Sequence, residues 1–304
     1  MYRIILIIFI FFAVAGDLSW AAESRPLVDV AWLKPRVCAP SLVVLDLRRS
    51  PANYRAGHIP CAVNSNYYGD GWRIDIGGIA KKMPPVARLE ALIGGLGIGN
   101  DSHVVITGAG TDPFDAAEAA GAYLTLRYLG HDRVSILDGG QQAWAAEWDA
   151  DIDTGPREPT PKTFRARPRP NIVAPREAVQ AARARGAPLV DMRGHDHFLG
   201  VNTEAVLARP GTIAGARNMP MSWITKGGSL WFRSLDTLKT LFAAAGVPES
   251  GETIFFCNAG LESSLGWFVA HELMGNTAAR LYDGSLAEWS ADPTLPMDLK
   301  VPLK

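Results

Sequence analysis

The 304-residue chain contains only three cysteines, and its formal net charge is -1. A charge so close to neutral gives no sign of a nucleic-acid binder. Its histidines form no metal-binding pattern, because His195 and His197 stand two residues apart without the cysteine or carboxylate spacing that would complete a zinc site. We therefore expect a globular protein that works without nucleic acid, metal or cofactor.

A hydrophobic run long enough to cross a membrane is also missing. The apolar stretch Ile4–Val14 follows a short positive start and is well below the about 20 residues that a span needs. Ser19 and Ala21 place small residues at the two positions that determine cleavage. Residues 1–22 therefore predict a signal peptide cleaved near Ala21 or Ala22, and a periplasmic or secreted protein with no stable membrane insertion. An uncleaved N-terminal anchor is the alternative.

Export would place the cysteines in an oxidising compartment, where an odd number leaves one thiol over. Cys38 and Cys61 fall in the same half of the chain and could pair, although the sequence does not give their distance. Cys257 would then be the free thiol.

Cys257 follows an apolar run, Thr253–Phe256, that predicts a buried strand. After the loop Asn258–Ser263, apolar residues recur at helical spacing. Backbone N–H groups without an intrahelical partner, together with the helix dipole, are expected to stabilise a thiolate there and to lower the pKa of Cys257. The alternative is a structural cysteine that ends a core strand.

Four markers recur in the same order in both halves of the chain, which indicates a duplication. They are Asp46-Leu47-Arg48 and Asp191-Met192-Arg193; Gly57–Asn64 and Gly211–Asn218; the strands His103–Thr107 and Glu252–Phe256; and Asp138-Gly139 with Trp144 and Asp283-Gly284 with Trp289.

Alternating strand and helix patterns predict an α/β fold with mostly parallel sheets. The predicted strands are Leu42–Leu45, Val104–Thr107, Val134–Leu137, Leu189–Asp191, Thr253–Phe256 and Ala279–Leu281. The predicted helices are Pro85–Leu96, Phe114–Leu129, Pro175–Arg185, Ser234–Ala245 and Leu261–Met274. We expect one domain over 23–150, a proline-rich linker over 151–174 and a second domain over 175–304.

Together these markers resemble the tandem-domain rhodanese family, the thiosulfate and 3-mercaptopyruvate sulfurtransferases. The resemblance implies two rhodanese-like domains, each a small mostly parallel sheet flanked by helices. It implies that Cys257 accepts a sulfane sulfur as a persulfide from a small anionic donor, thiosulfate or 3-mercaptopyruvate. A thiol, cyanide or a protein thiol would then take that sulfur. The first half has no thiol near Gly108, where the catalytic cysteine would be expected, so its domain is expected to be catalytically inactive and to form one wall of the cleft.

The resemblance also assigns the residues of the site. Cys257 would be catalytic, and Arg193 would bind the donor anion, unless it only ties local loops together. The loop after the cysteine would contact the substrate through Asn258, Ala259, Gly260, Leu261, Glu262 and Ser263. Gly260 matches the loop glycine of the family and is expected to have a positive φ.

Several loop positions depart from the family pattern. Thiosulfate enzymes usually carry basic residues directly after the cysteine, where Asn258 and Ala259 stand, and mercaptopyruvate enzymes carry a serine or threonine at the position of Ala259. Glu262 replaces a small hydroxyl residue, and we expect it to point away from the thiolate, since facing inward it would raise the thiol pKa. The departures keep a second hypothesis open: a degenerate, non-catalytic protein that binds a sulfur compound or a partner protein. A cysteine phosphatase would need an arginine where Ser263 stands.

Overall fold

The computed structural model describes residues 25–303, so the predicted signal peptide lies outside the described residues. Each half of the described chain forms a parallel sheet with helices packed against it. The strand order is β1-β7-β6-β2-β3 in the first half and β10-β8-β11-β12 in the second, with bounds given below. The predicted α/β class, with two domains built alike, is therefore confirmed.

The first domain contains the larger sheet and a short antiparallel hairpin, β4–β5. Its strands are β1 (Leu27–Val28), β2 (Leu42–Asp46), β3 (Val63–Asn64), β4 (Ile74–Ile76), β5 (Ile79–Lys82), β6 (His103–Thr107) and β7 (Val134–Leu137). Its helices are α1 (Val30–Leu33), α2 (Pro51–Ala56), α3 (Val86–Gly95), α4 (Pro113–Tyr128) and α5 (Gly140–Ala146).

The second domain repeats this plan and adds a small antiparallel pair, β9 with β13. Its strands are β8 (Leu189–Asp191), β9 (Thr212–Ile213), β10 (Arg217–Asn218), β11 (Thr253–Phe256), β12 (Ala279–Leu281) and β13 (Met297–Asp298). Its helices are α6 (Arg176–Ala184), α7 (His195–Leu199), α8 (Leu235–Ala244), α9 (Leu261–Trp267) and α10 (Ser285–Trp289).

Every residue of the inner strands β6 and β11 is buried. Burial on both faces explains why these strands read as continuous apolar runs rather than as alternating patterns. The helix predicted over Leu261–Met274 is divided in the structure: α9 ends at Trp267 and a π-helical segment, Phe268–Leu273, continues it. Short π-helical segments within α-helices are frequently found at functional sites.

The segment between the domains crosses the surface of the first domain. Backbone N–H groups of Lys162, Arg167 and Arg169 donate to carbonyl oxygens of that domain at 2.7–2.9 Å. Phe164 is buried against it. Within the same domain, Cys38 and Cys61 form a disulfide bond, so the pairing that the sequence left open is present and Cys257 is the free thiol.

The two domains share one hydrophobic core, in which helix α4 packs against helix α9 and its π-helical continuation. Tyr123 meets Phe268 edge to face, with ring centroids 4.9 Å apart. The hydroxyl of Tyr123 and the Nε of Arg127 both donate to Glu272, at 2.9 and 3.1 Å. These contacts hold helix α4 of the first domain against the helical segment of the second. Among residues 25–303, no helix combines the length and hydrophobicity that crossing a bilayer would require.

Candidate active site

The sulfur of Cys257 lies directly after β11, at the carboxyl end of the second sheet, where parallel sheets generally bind their ligands. The Ser263 hydroxyl donates to Sγ at 3.4 Å, and the N–H groups of Ala259 and Ser263 also hydrogen-bond the sulfur. Gly260 has φ +82°, as predicted, and this left-handed turn lets the loop curl around the sulfur. The loop therefore presents N–H groups, and not carbonyl oxygens, to Cys257.

The backbone of Cys257 is held by the turn that starts helix α10. Its N–H donates to the hydroxyl of Ser285 at 3.2 Å, and that hydroxyl donates to the Tyr282 carbonyl at 2.8 Å. Leu286 N–H in turn donates to the Cys257 carbonyl at 3.0 Å. Ser285 has φ +48°, a conformation that non-glycine residues seldom adopt and that tends to occur at functional sites.

The prediction that this setting lowers the pKa of Cys257 is wrong for the thiol as it stands. Burial of the sulfur raises the pKa of the thiol, and the nearby Glu262 carboxylate raises it further. The hydrogen bonds from the Ser263 hydroxyl and from the Ser263 and Ala259 N–H groups lower the pKa, but they do not fully offset the loss of water around a thiolate.

Glu262 accounts for much of this difference, because its predicted outward orientation is wrong. Its side chain lines the same pocket as Cys257, and its negative charge acts on the thiol. Burial, followed by repulsion from the Asp191 carboxylate, raises the pKa of Glu262 to about 7, although the positive charge of Arg193 acts in the opposite direction.

Arg193 is not among the residues that line the pocket, and its contact with the donor stays a prediction. Its side chain is 1% exposed and binds both carboxylate oxygens of Asp191, with its shortest contact at 2.6 Å. It also donates to the Gly211 carbonyl at 2.7 Å and to the Asn258 side-chain oxygen at 3.3 Å. A guanidinium with all these partners orients the loop from behind. These contacts show that Arg193 ties the loops around the site together.

A pocket of about 560 Å³ opens above the sulfur, between the two domains. Of the predicted loop residues it is lined by Cys257, Asn258, Ala259, Leu261 and Glu262, whereas Gly260 and Ser263 lie behind this surface. The first domain contributes Arg49, Tyr68, Lys81 and Phe114, so that domain does form one wall. The remaining lining residues belong to the second domain: Gly194, His197, Glu204, Val206, Pro220, Met221 and Ser222.

Positive charge in this pocket comes mainly from the first domain, and sequence reasoning missed it. The Nε of Arg49 donates to the buried Glu118 carboxylate at 2.8 Å, which fixes the guanidinium at the rim. The ammonium of Lys81 lies 4.6 Å from the centre of the Tyr68 ring. No local pattern marks either residue, because each reaches the sulfur only through the packing of one domain on the other. Ser285 was also missed, although the repeat held a signal: Gly140 stands at its position in the first half.

Hydrogen bonds confirm that Gly108 is the counterpart of Cys257. Gln141 N–H donates to the Gly108 carbonyl at 2.9 Å, as Leu286 N–H does to Cys257. In the first domain, however, the N–H groups of the corresponding loop donate to a side chain of the same domain. One oxygen of Asp115 accepts the N–H groups of Gly110, Thr111 and Asp112 at 3.0, 3.0 and 3.2 Å. Neither a thiol nor an open cradle is present there.

Comparison with known proteins gives the family to which this fold and cysteine loop belong. Residues 29–147 and 175–292 each match the Rhodanese-like domain model. The chain therefore belongs to the rhodanese-like family, as its repeated markers had indicated.

Its relatives carry sulfurtransferase names. A Mycolicibacterium smegmatis protein named "Putative thiosulfate sulfurtransferase" is 33% identical over 91% of this chain and 99% of its own length. A Mycobacterium tuberculosis protein of the same name is 31% identical over equal shares. A Haloferax volcanii protein, again with that name, is 35% identical over 66% of this chain and 70% of its own. These names support sulfurtransferase activity in general terms.

Two solved structures share the fold. The SseA 3-mercaptopyruvate enzyme of Escherichia coli has a TM-score of 0.71 and 25% identity, over 86% of this chain and 98% of that one. The anaerobic ergothioneine biosynthesis enzyme of Chlorobium limicola has a TM-score of 0.77 over 91% of this chain and 71% of that one. Its 23% identity carries the likeness of fold alone.

Proposed function

We propose that this protein moves a sulfane sulfur from a small anionic donor, thiosulfate or 3-mercaptopyruvate, to a thiophilic acceptor through a persulfide on Cys257. The acceptor is cyanide, a small thiol or a protein thiol. The observation that carries the proposal is the position of the sulfur: it lies at the floor of the interdomain pocket and receives one hydroxyl and two N–H hydrogen bonds.

The proposed reaction has two steps with a covalent intermediate. The Cys257 thiolate forms a bond to the outer sulfur of the donor, and the bond that joined this sulfur to the donor breaks. Its electron pair leaves on sulfite, or on the pyruvate carbon, which then takes up a proton. The acceptor attacks the outer sulfur of the persulfide, and the electron pair of the broken S–S bond returns to Cys257.

The persulfide carries negative charge on its outer sulfur, so preorganised donors would stabilise it as it forms. The N–H groups of Ala259 and Ser263 and the Ser263 hydroxyl already point to this region. The donor itself is anionic, and Arg49 and Lys81 supply positive charge on the opposite wall. We therefore propose that the first domain binds the anionic end of the donor, while Arg193 positions the loop through Asn258.

Intact mass spectrometry tests the persulfide. The mature protein treated with thiosulfate or 3-mercaptopyruvate should gain about 32 Da, one sulfur atom on a cysteine. Peptide mapping should place this mass on Cys257, and cyanide should remove it. Cys257→Ser should gain nothing. If the unmodified protein never gains the mass with any donor, the non-catalytic binding hypothesis replaces this one.

The choice of donor is tested by steady-state cyanide sulfuration with the two donors side by side. The relatives at 31–33% identity are named for thiosulfate, whereas SseA uses 3-mercaptopyruvate. The loop carries the residues of neither standard preference, so the ratio of the two kcat/KM values decides between them.

We also propose that the protein is exported and that residues 1–22 are removed. The disulfide Cys38–Cys61 supports this proposal, because such bonds persist in oxidising compartments. Expression of the full chain with fractionation and N-terminal sequencing tests it. A mature N-terminus just after Ala21 or Ala22 in the periplasmic or secreted fraction is expected, and an intact N-terminus in the membrane fraction would contradict it.

A further inference from the structure

Sulfur transfer needs an ionised Cys257, yet burial holds this sulfur in the thiol form. The Ser263 hydroxyl and the N–H groups of Ala259 and Ser263 donate towards the sulfur, so they can only stabilise a thiolate once it has formed. The Glu262 carboxylate, which lines the same pocket, is a base that can accept the proton.

We propose that Glu262 accepts the proton of the Cys257 thiol as the sulfur attacks the donor, and so acts as the general base of the sulfur-loading step. This proposal rests on the sulfurtransferase function proposed above. The carboxylate lies on the first turn of helix α9 and lines the same pocket as Cys257. It therefore shares with the sulfur the space in which the donor would bind, where a base for the thiol proton is needed.

The surroundings of Glu262 set the strength of this base. Asp191 on strand β8 and Glu204 in the loop before β9 repel its negative charge, whereas Arg193 attracts it. His197 on helix α7 lies 3.9 Å from Glu204. Across the pocket stand Arg49, Tyr68 and Lys81 of the first domain. With burial, this balance gives Glu262 a pKa of about 7, the range in which a general base is most effective near neutral pH.

The proton balance of the step is simple. Before loading, Cys257 carries S–H and Glu262 carries a carboxylate. The proton passes from the thiol to the carboxylate, which leaves a thiolate and a neutral carboxylic acid in the same pocket. The thiolate attacks, and loss of negative charge on Glu262 removes the repulsion that would oppose a persulfide anion. The proton then leaves to the pyruvate carbon when the donor is 3-mercaptopyruvate, or to solvent when it is thiosulfate.

Alkylation of Cys257 by iodoacetamide reports its ionisation independently of sulfur chemistry, since the other two cysteines form a disulfide. We expect the wild-type rate to rise around pH 7, to level off and to rise again at higher pH, because two groups share two protons. Glu262→Gln should show one rise only, and Glu262→Asp should keep two. At neutral pH, Glu262→Gln should load sulfur about tenfold to hundredfold more slowly than wild type.

A different pattern would overturn the proposal. If wild type shows a single rise at high pH, and Glu262→Gln moves that rise to lower pH, the carboxylate is only a repelling charge. Loading by Glu262→Gln at the wild-type rate or faster would lead to the same conclusion. Failure of the proposed function gives a different result. In that case the wild-type protein would still show two rises in its alkylation rate, but it would gain no sulfur from any donor.

Discussion

Two neighbouring serines at the start of helix α9 offer a sharp test of how the sulfur is stabilised. Both Ser263 and Ser264 are fully buried. The Ser263 hydroxyl donates to the sulfur of Cys257 at 3.4 Å, whereas the Ser264 hydroxyl donates to the Gly260 carbonyl at 2.7 Å. Ser263→Ala therefore removes a direct contact with the sulfur, and Ser264→Ala is a matched control one residue away.

The size of the effect follows from the contact. A hydrogen bond to a charged group contributes about 1.5–3 kcal/mol. The 3.4 Å separation between Ser263 Oγ and Sγ favours the lower figure. About 1.5 kcal/mol corresponds to roughly one pKa unit. The hydroxyl stabilises the thiolate and lowers the pKa of Cys257, so its removal should raise this pKa. At pH values below the pKa, the thiolate fraction should then fall roughly tenfold.

Iodoacetamide alkylation across a pH series measures this change directly. The rise at higher pH, which reports the thiol itself, should shift upward by about one unit in Ser263→Ala, and sulfur loading at neutral pH should fall roughly tenfold. Ser264→Ala should keep the wild-type profile while losing about 1 kcal/mol of stability. The reasoning fails if the two variants shift the profile equally, or if Ser263→Ala leaves it in place.

Three further variants test other parts of the structure. Lys81→Gln should raise KM for the anionic donor about fivefold with little change in kcat. The surface control Lys239→Gln should leave KM as in wild type. If Lys81→Gln also has the wild-type KM, Lys81 does not take part in donor binding. Arg193→Lys should lower the free energy of unfolding by about 3 kcal/mol in urea, because lysine cannot bind two carboxylate oxygens side by side; an unchanged midpoint would refute its role in holding the loop. Replacing Cys38 and Cys61 by serine should cost about 3 kcal/mol in the same assay, and dithiothreitol should have no further effect on that variant; equal stability of variant and wild type would contradict this.

The sequence predicted well whatever depends on local patterning. The strand Thr253–Phe256 and its position before Cys257 are confirmed, because a buried parallel strand leaves a continuous apolar run. The left-handed turn at Gly260 is confirmed for a similarly local reason, since glycine adopts that conformation without steric cost.

Features that depend on packing between distant segments were not predictable in the same way. The side chain of Glu262 lines the pocket of Cys257, and no spacing in the sequence encodes on which side of the helix start it lies. The cations Arg49 and Lys81 line this pocket from the other domain. The pKa of Cys257 was predicted in the wrong direction. The N–H groups that lower this pKa can be inferred from the loop sequence, but the burial that raises it by more cannot.

The Asp115 contacts in the first domain have a consequence for the anion-binding capacity of its loop. The Asp115 carboxylate accepts hydrogen bonds from three N–H groups of this loop. Because the carboxylate is attached to the same chain, its effective concentration is very high, and a small sulfur anion from solution would not displace it. Placing a cysteine at Gly108 would consequently not create a second working centre. The first domain instead contributes Arg49, Tyr68, Lys81 and Phe114 to the wall of the pocket that contains Cys257.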